Sequence, residues 1–159
     1  MARVLVAYYS RGGNTAKMAE FVAQGARLVK GAQVALKEVP EVDPKGLAAY
    51  DAIICGSPTY YGQMAAEVKA LFDKSVAIHG RLEGKVGGAF TSSVNLAGGN
   101  ETTILSILQA MLIHGMIVKG TSERDHYGPV ALGAPDERAE GECLKLGRNV
   151  AELAVRLFG

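Results

Sequence analysis

Apolar positions along the chain fall into two kinds of run that take turns. Residues 3–9 (RVLVAYY) form a short, continuous, β-rich stretch that gives way to a polar, glycine-rich segment. That pattern predicts a buried strand followed by a loop. Met18, Val22 and Ala26 then recur at helical spacing. Residues 33–39 read as a second strand. Residues 40–50, with two prolines and a glycine, read as a loop with at most one helical turn. Residues 52–55 (AIIC) predict a third strand that runs into GSPTYYG. Met64, Val68, Leu71 and Phe72 then mark one face of a helix. Residues 85–91 predict the fourth strand, and Ile104, Ile107, Leu108, Met111 and Leu112 the helix after it. Residues 115–119 (GMIVK) predict the fifth strand. Leu146, Val150, Leu153, Ala154 and Leu157 mark a final helix.

Strands alternating with helices imply βαβ units. The fold class predicted is α/β, flavodoxin-like: a doubly wound five-stranded parallel sheet of order 2-1-3-4-5 with helices on both faces. One such domain accounts for residues 1–159. In sheets of this order a ligand sits outside the carboxyl ends of the strands, at the β1/β3 switch point. The loops after strands one, three and four meet there.

Composition narrows the function classes. The formal net charge of +1 indicates neither a nucleic-acid partner nor an anionic membrane. Cys55 and Cys143 have no metal or redox spacing and read as free thiols of a reducing compartment, so the expected location is cytoplasmic. No signal-peptide layout is expected from the start of the chain, and no apolar run approaches a membrane span. No cluster has metal-ligand spacing, so no metal site is expected.

The first loop holds Ser10, Arg11, Gly12, Gly13, Asn14 and Thr15. Glycines allow close backbone approach, the hydroxyls and amide can donate, and the helix that follows presents free N–H groups. Together these suit a phosphate, although an ordinary capped glycine-rich turn would look the same. The pattern is neither GxxxxGK[ST] nor GxGxxG. The second loop carries Pro58, Thr59, Tyr60, Tyr61 and Gly62, whose rings can flank a flat heterocycle or simply pack on the next helix. The third runs through Thr91, Ser92, Ser93, Val94, Asn95, Leu96, Ala97 and Gly98 to Glu101. That is long for a β–α connection, with many groups able to bond a polar ring edge. Asn100 or Thr102 could cap the helix after it. Carboxylates that would mark a phospho-receiver are missing from the ends of strands one and three, and the first loop has no cysteine nucleophile.

With VLVAYYSRGGNT, YDAIICGSPTYYGQMAAEVKALFD, GKVGGAFTSS and GGNETTILSILQAMLIHGM in hand, the chain resembles the flavodoxin-like WrbA-type NAD(P)H:quinone oxidoreductases over most of residues 3–118. The resemblance implies FMN as cofactor, with NADH or NADPH as co-substrate and a quinone as acceptor, and hydride transfer by a two-electron ping-pong mechanism. It implies that residues 10–15 hold the phosphate. Thr59, Tyr60 and Tyr61 would line one side of the ribityl chain and ring, and residues 92–97 the other. His114 of the HGM motif would approach the flavin pyrimidine as the catalytic residue. A homodimer or homotetramer is implied as well, with no nucleic-acid partner and no stable membrane insertion.

The chain also departs from the family pattern. The stretch before strand three is short, and residues 75–79 lack the aromatic that usually follows the third helix. Gly12 stands where the family usually has a ring. The missing rings belong to the substrate face rather than the FMN face. Two other readings therefore accompany the enzyme: a flavodoxin-type one-electron carrier, against which the charge of +1 argues, and a non-catalytic FMN-binding regulatory protein.

Overall fold

In the computed structural model, which describes residues 1–159, strands and helices alternate. The order is β1 (Ala2–Tyr8), α1 (Asn14–Arg27), β2 (Ala32–Glu38), β3 (Ala52–Pro58), α2 (Ala66–Lys74), β4 (Val86–Ser93), α3 (Asn100–Ile113), β5 (Ile117–Val118), β6 (Val130–Leu132) and α4 (Glu137–Phe158). All pairings are parallel, and the sheet order is β2-β1-β3-β4-β5, as expected from the alternation. Between β2 and β3 the chain makes two short 3-10 turns, Val39–Glu41 and Pro44–Ala49, each with proline near its start.

Alternation along the strands sorts the core into two layers. Leu5, Ala7, Ile53, Cys55 and Ala89 face α2 and α3, meeting Val68, Leu71, Ile104, Ile107 and Met111. Val4, Val6, Ile54, Val86 and Phe90 face the other way, onto Met18, Val22 and Ala26 of α1 and Val150, Ala151 and Ala154 of α4. Helices α1 and α4 cross backbone to backbone. A Cβ built at Gly147 would stand 1.9 Å from the Val22 carbonyl oxygen, and one at Gly25 would stand 2.0 Å from that of Leu144.

Two strands differ from expectation. β3 continues three residues beyond Cys55, because Gly56, Ser57 and Pro58 pair with Phe90, Thr91 and Ser92. A composition typical of loops is overridden by the neighbouring strand. The fifth strand is split. Only Ile117 and Val118 pair with Val86 and Gly87, and after an excursion Val130–Leu132 pairs with Thr91–Ser93 of the same β4. Asp125 organises the excursion: its Oδ2 accepts the Val130 N–H at 2.9 Å, and both its oxygens accept from Arg138 Nη1 at 2.8 Å. The sixth short strand is thus the upper half of the edge that the five-strand reading places in one piece.

Candidate functional site

The carboxyl ends of β1, β3 and β4 open into a cleft of about 350 Å³, within the range of small-molecule sites (~300–1,000 Å³). Ser10, Arg11, Gly12, Asn14 and Thr15 line it from the first loop, Pro58, Thr59 and Tyr60 from the second, and Ser92, Ser93 and Val94 from the third. The structure therefore brings these eleven sequence-predicted residues to one place.

The floor at the first loop is electropositive. Gly13 occupies the N-cap of α1 in the left-handed conformation, φ 95°, and no side chain caps the helix. The N–H groups of Asn14, Thr15 and Ala16 have no backbone acceptor. Ser10 Oγ shapes the turn by accepting the Gly13 N–H at 3.1 Å. No carboxylate lies in the first turn of α1, and Arg11 is exposed beside it. Thr15 Oγ1 and Ser92 Oγ share a buried 2.8 Å hydrogen bond that ties the first loop to the third. An uncapped helix end with convergent hydroxyls is suited to an anion.

The second loop forms the side wall. Tyr60 and Gln63 exchange two backbone hydrogen bonds of 3.0 Å. The residues between them, Tyr61 and Gly62, have φ of 51° and 73°. This is a type I′ turn, which asparagine and glycine fill without strain. A tyrosine held there is a backbone outlier of the kind that collects at functional sites. Its ring is fully exposed, beside the cleft rather than in its lining.

The third loop is braced from within. Ser93 Oγ donates to the Asn95 carbonyl at 3.0 Å, while Asn100 Nδ2 donates to Ser93 Oγ and, at 3.3 Å, to the same carbonyl. Asn100 therefore does not cap α3, and Thr102 does not either, since its hydroxyl donates to the Gly99 carbonyl. Val94 and Leu96 stand exposed on the rim.

Several predicted contacts fall outside the lining. Gly13 supplies the turn, and Gly62 closes the second loop against Gly99 and Thr102. Asn95, Leu96, Ala97 and Gly98 lie beyond the lip. Thr91 is fully buried behind the wall. Gly133, which sequence reasoning missed, does line the cleft: β6 delivers it, and its N–H donates to the Ser93 carbonyl at 2.7 Å. Only the tertiary return of β6 reveals it.

His114 needs correction. It ends α3, whose 14 residues carry it about 20 Å from the loop at Asn100, to the opposite end of the sheet. Within one chain it cannot reach the cleft. Ser75 Oγ donates to the Phe72 carbonyl at 2.6 Å, so the 2.7 Å contact between Ser75 Oγ and His114 Nε2 takes its proton from Nε2. That leaves Nδ1 buried, unprotonated and without a partner. Burial, and secondarily the nearby His79, hold the imidazole below its ordinary pKa of 6.5. The unfolded chain therefore takes up this proton first, and the stability present above the ordinary histidine range is lost as pH falls through it. Thermal melting at pH 7.5 and 5.5 is expected to show a drop for the wild type that His114→Gln reduces. An equal drop in both proteins would refute this role.

The thiols offer no chemistry here. Cys55 and Cys143 are buried, and burial pushes each up to about 12. A second cleft of about 380 Å³ lies outside the third loop. Of its two arginines, Arg138 is engaged by Asp125 and the Val130 carbonyl, and Arg124 lies 3.8 Å from Glu142. No helix is long and apolar enough to cross a membrane.

The Flavodoxin domain model matches residues 5–112. A flavodoxin of Aquifex aeolicus is 40% identical over 160 residues, covering 96% of this chain and 86% of that one. An NAD(P)H dehydrogenase (quinone) of Archaeoglobus fulgidus is 38% identical over 191 residues, covering 99% of this chain and all of the relative. The crystal structure of a flavodoxin, WrbA-like protein from Agrobacterium tumefaciens superimposes with a TM-score of 0.82 at 27% identity, covering 98% of this chain and 99% of that one.

Proposed function

The chain belongs to the flavodoxin domain family, and we propose that it is an FMN-dependent NAD(P)H:quinone oxidoreductase whose cofactor lies in the cleft at the start of α1. The observation that carries the cofactor assignment is the uncapped α1 N-terminus. Its free N–H groups and the hydroxyls of Ser10, Thr15 and Ser92 converge where a phosphate would sit. The carriers of the acceptor assignment are relatives named NAD(P)H dehydrogenase (quinone), at 36–38% identity over the whole chain.

The residues present fit the group. The phosphate would be held by the loop N–H groups, Ser10, Asn14 and Thr15. The polyol would run past Thr59 and Ser92, and the ring would lie between Tyr60 and Val94. Once bound, FMN supplies the hydride and electron chemistry, and the protein supplies position and electrostatics. Exposed Tyr61, Val94 and Leu96 form an apolar rim where the nicotinamide and the quinone would approach in turn. The buried free thiols suit a reducing, cytoplasmic setting. Around His114, Val76, Leu112, Ile113 and Ile117 are exposed, and a homodimer or homotetramer would cover them. Light scattering at micromolar concentration tests that assembly.

A second reading, a one-electron carrier, is favoured by the Aquifex flavodoxin, whose 40% identity stands beside the 38% of the Archaeoglobus dehydrogenase. Mixing the FMN-loaded protein with NADH or NADPH and a benzoquinone separates the two. Flavin bleaching by the nicotinamide followed by quinone-dependent turnover is expected. Flavin that ignores both nicotinamides would overturn the enzyme and leave the carrier.

A further inference from the structure

We propose that Thr91, behind the cleft wall, is a positioning residue that fixes Thr59 as a hydrogen-bond acceptor toward the ribityl hydroxyls of bound flavin. The inference rests on the FMN reading and assigns a polarity to one wall of that site.

Thr91 is fully buried, and its Oγ1 lies 2.7 Å from the Ser57 carbonyl oxygen. Its other carbonyl neighbour, that of Ser92, is at 3.5 Å and too long to compete. A hydroxyl has one proton and two lone pairs, so the Thr91 proton goes to Ser57. Thr59 Oγ1 stands 2.9 Å from Thr91 Oγ1, and Thr91 can then only accept. Thr59 must therefore donate inward. The reverse arrangement would deprive the buried Ser57 carbonyl of its hydroxyl donor, which is costly in the core.

Thr59 lines the cleft, and its backbone is pinned by donation to the Ser92 carbonyl at 2.8 Å. With its proton spent, it offers the cleft lone pairs alone. It accepts from an O–H or N–H and repels a phosphate or carbonyl oxygen. The first loop has the opposite polarity, because its N–H groups donate. The cleft thus pairs a donor-lined anion end with an acceptor on the side wall. A ligand with a phosphate at one end and a chain of hydroxyls leading from it matches both.

Fluorescence-quenching titrations with FMN, riboflavin and lumiflavin, the ring without its polyol, test this. Thr91→Val is expected to weaken FMN and riboflavin by about tenfold and to leave lumiflavin unchanged. Thr91→Ser, which keeps the hydroxyl, should match wild type. Thr59→Val should reproduce the selective loss, and Thr91→Val should add nothing in that background. A purely structural role would weaken lumiflavin equally, or add fully to Thr59→Val, and would overturn the relay. If the valine variant at 91 does not fold, Thr59→Val decides alone: unchanged riboflavin affinity overturns the relay. A wild type that binds FMN normally while Thr91→Val also does so refutes the relay only; a wild type that binds no flavin refutes the cofactor reading with it.

Discussion

Ser10→Asp is expected to weaken FMN at least about a hundredfold while leaving riboflavin within about threefold of wild type. Ser10 Oγ accepts the Gly13 N–H at 3.1 Å, and an aspartate oxygen can make the same bond, so the turn survives. What changes is charge. A carboxylate about 5 Å from a bound phosphate costs roughly 3 kcal/mol per unit charge at an effective dielectric of about 20. Riboflavin has no phosphate and does not meet that charge. Comparing the two flavins on one variant separates electrostatic exclusion from misfolding, since a distorted loop would weaken both. No loss for FMN would place the phosphate elsewhere.

Gly147→Ala is expected to destabilise the fold by about 3 kcal/mol or more, lowering the melting temperature by roughly 10 °C. The added methyl would stand 1.9 Å from the Val22 carbonyl oxygen and 2.8 Å from the Ala26 nitrogen. Both are backbone atoms of α1, so no rotamer change relieves the overlap and the two helices must separate. Better helix propensity of alanine, worth up to about 1 kcal/mol, offsets only part of that. Gly141 lies in the same helix with nothing within 4 Å of a built Cβ. Gly141→Ala should gain the propensity term alone, about 0.5–1 kcal/mol. Opposite signs in thermal or urea unfolding are the expected result. Parallel behaviour would show that α1 and α4 do not pack this closely.

Most of the framework was legible from periodicity. The alternating runs name β1 to β4 and their helices, and the topology puts the three loops at one edge. Period and composition act locally, so they misplace what tertiary pairing decides. Gly56, Ser57 and Pro58 look like loop, yet β4 holds them in register. The GMIVK run predicts one full strand, yet Arg138 and Asp125 draw the chain out and return it as β6, carrying Gly133 to the cleft. The first loop was readable as a candidate anion site because its chemistry is contiguous in sequence. His114 was misread because its motif position was followed against the topology, in which a helix that leaves the cleft edge after β4 ends at the opposite edge. The type I′ turn at Tyr61 and the buried place of Thr91 carry no residue-type signal, since neither tyrosine nor threonine marks a turn or a core position.

FMN is expected to bind in the cleft at the start of α1, held by its phosphate. Titrating flavin-free protein with FMN and with riboflavin, followed by calorimetry, tests it most directly. The expected result is one FMN per chain, bound at least about tenfold more tightly than riboflavin, because only FMN engages the free N–H groups of the helix end with a charged partner. Equal affinity for the two flavins, or no binding of either, would contradict it.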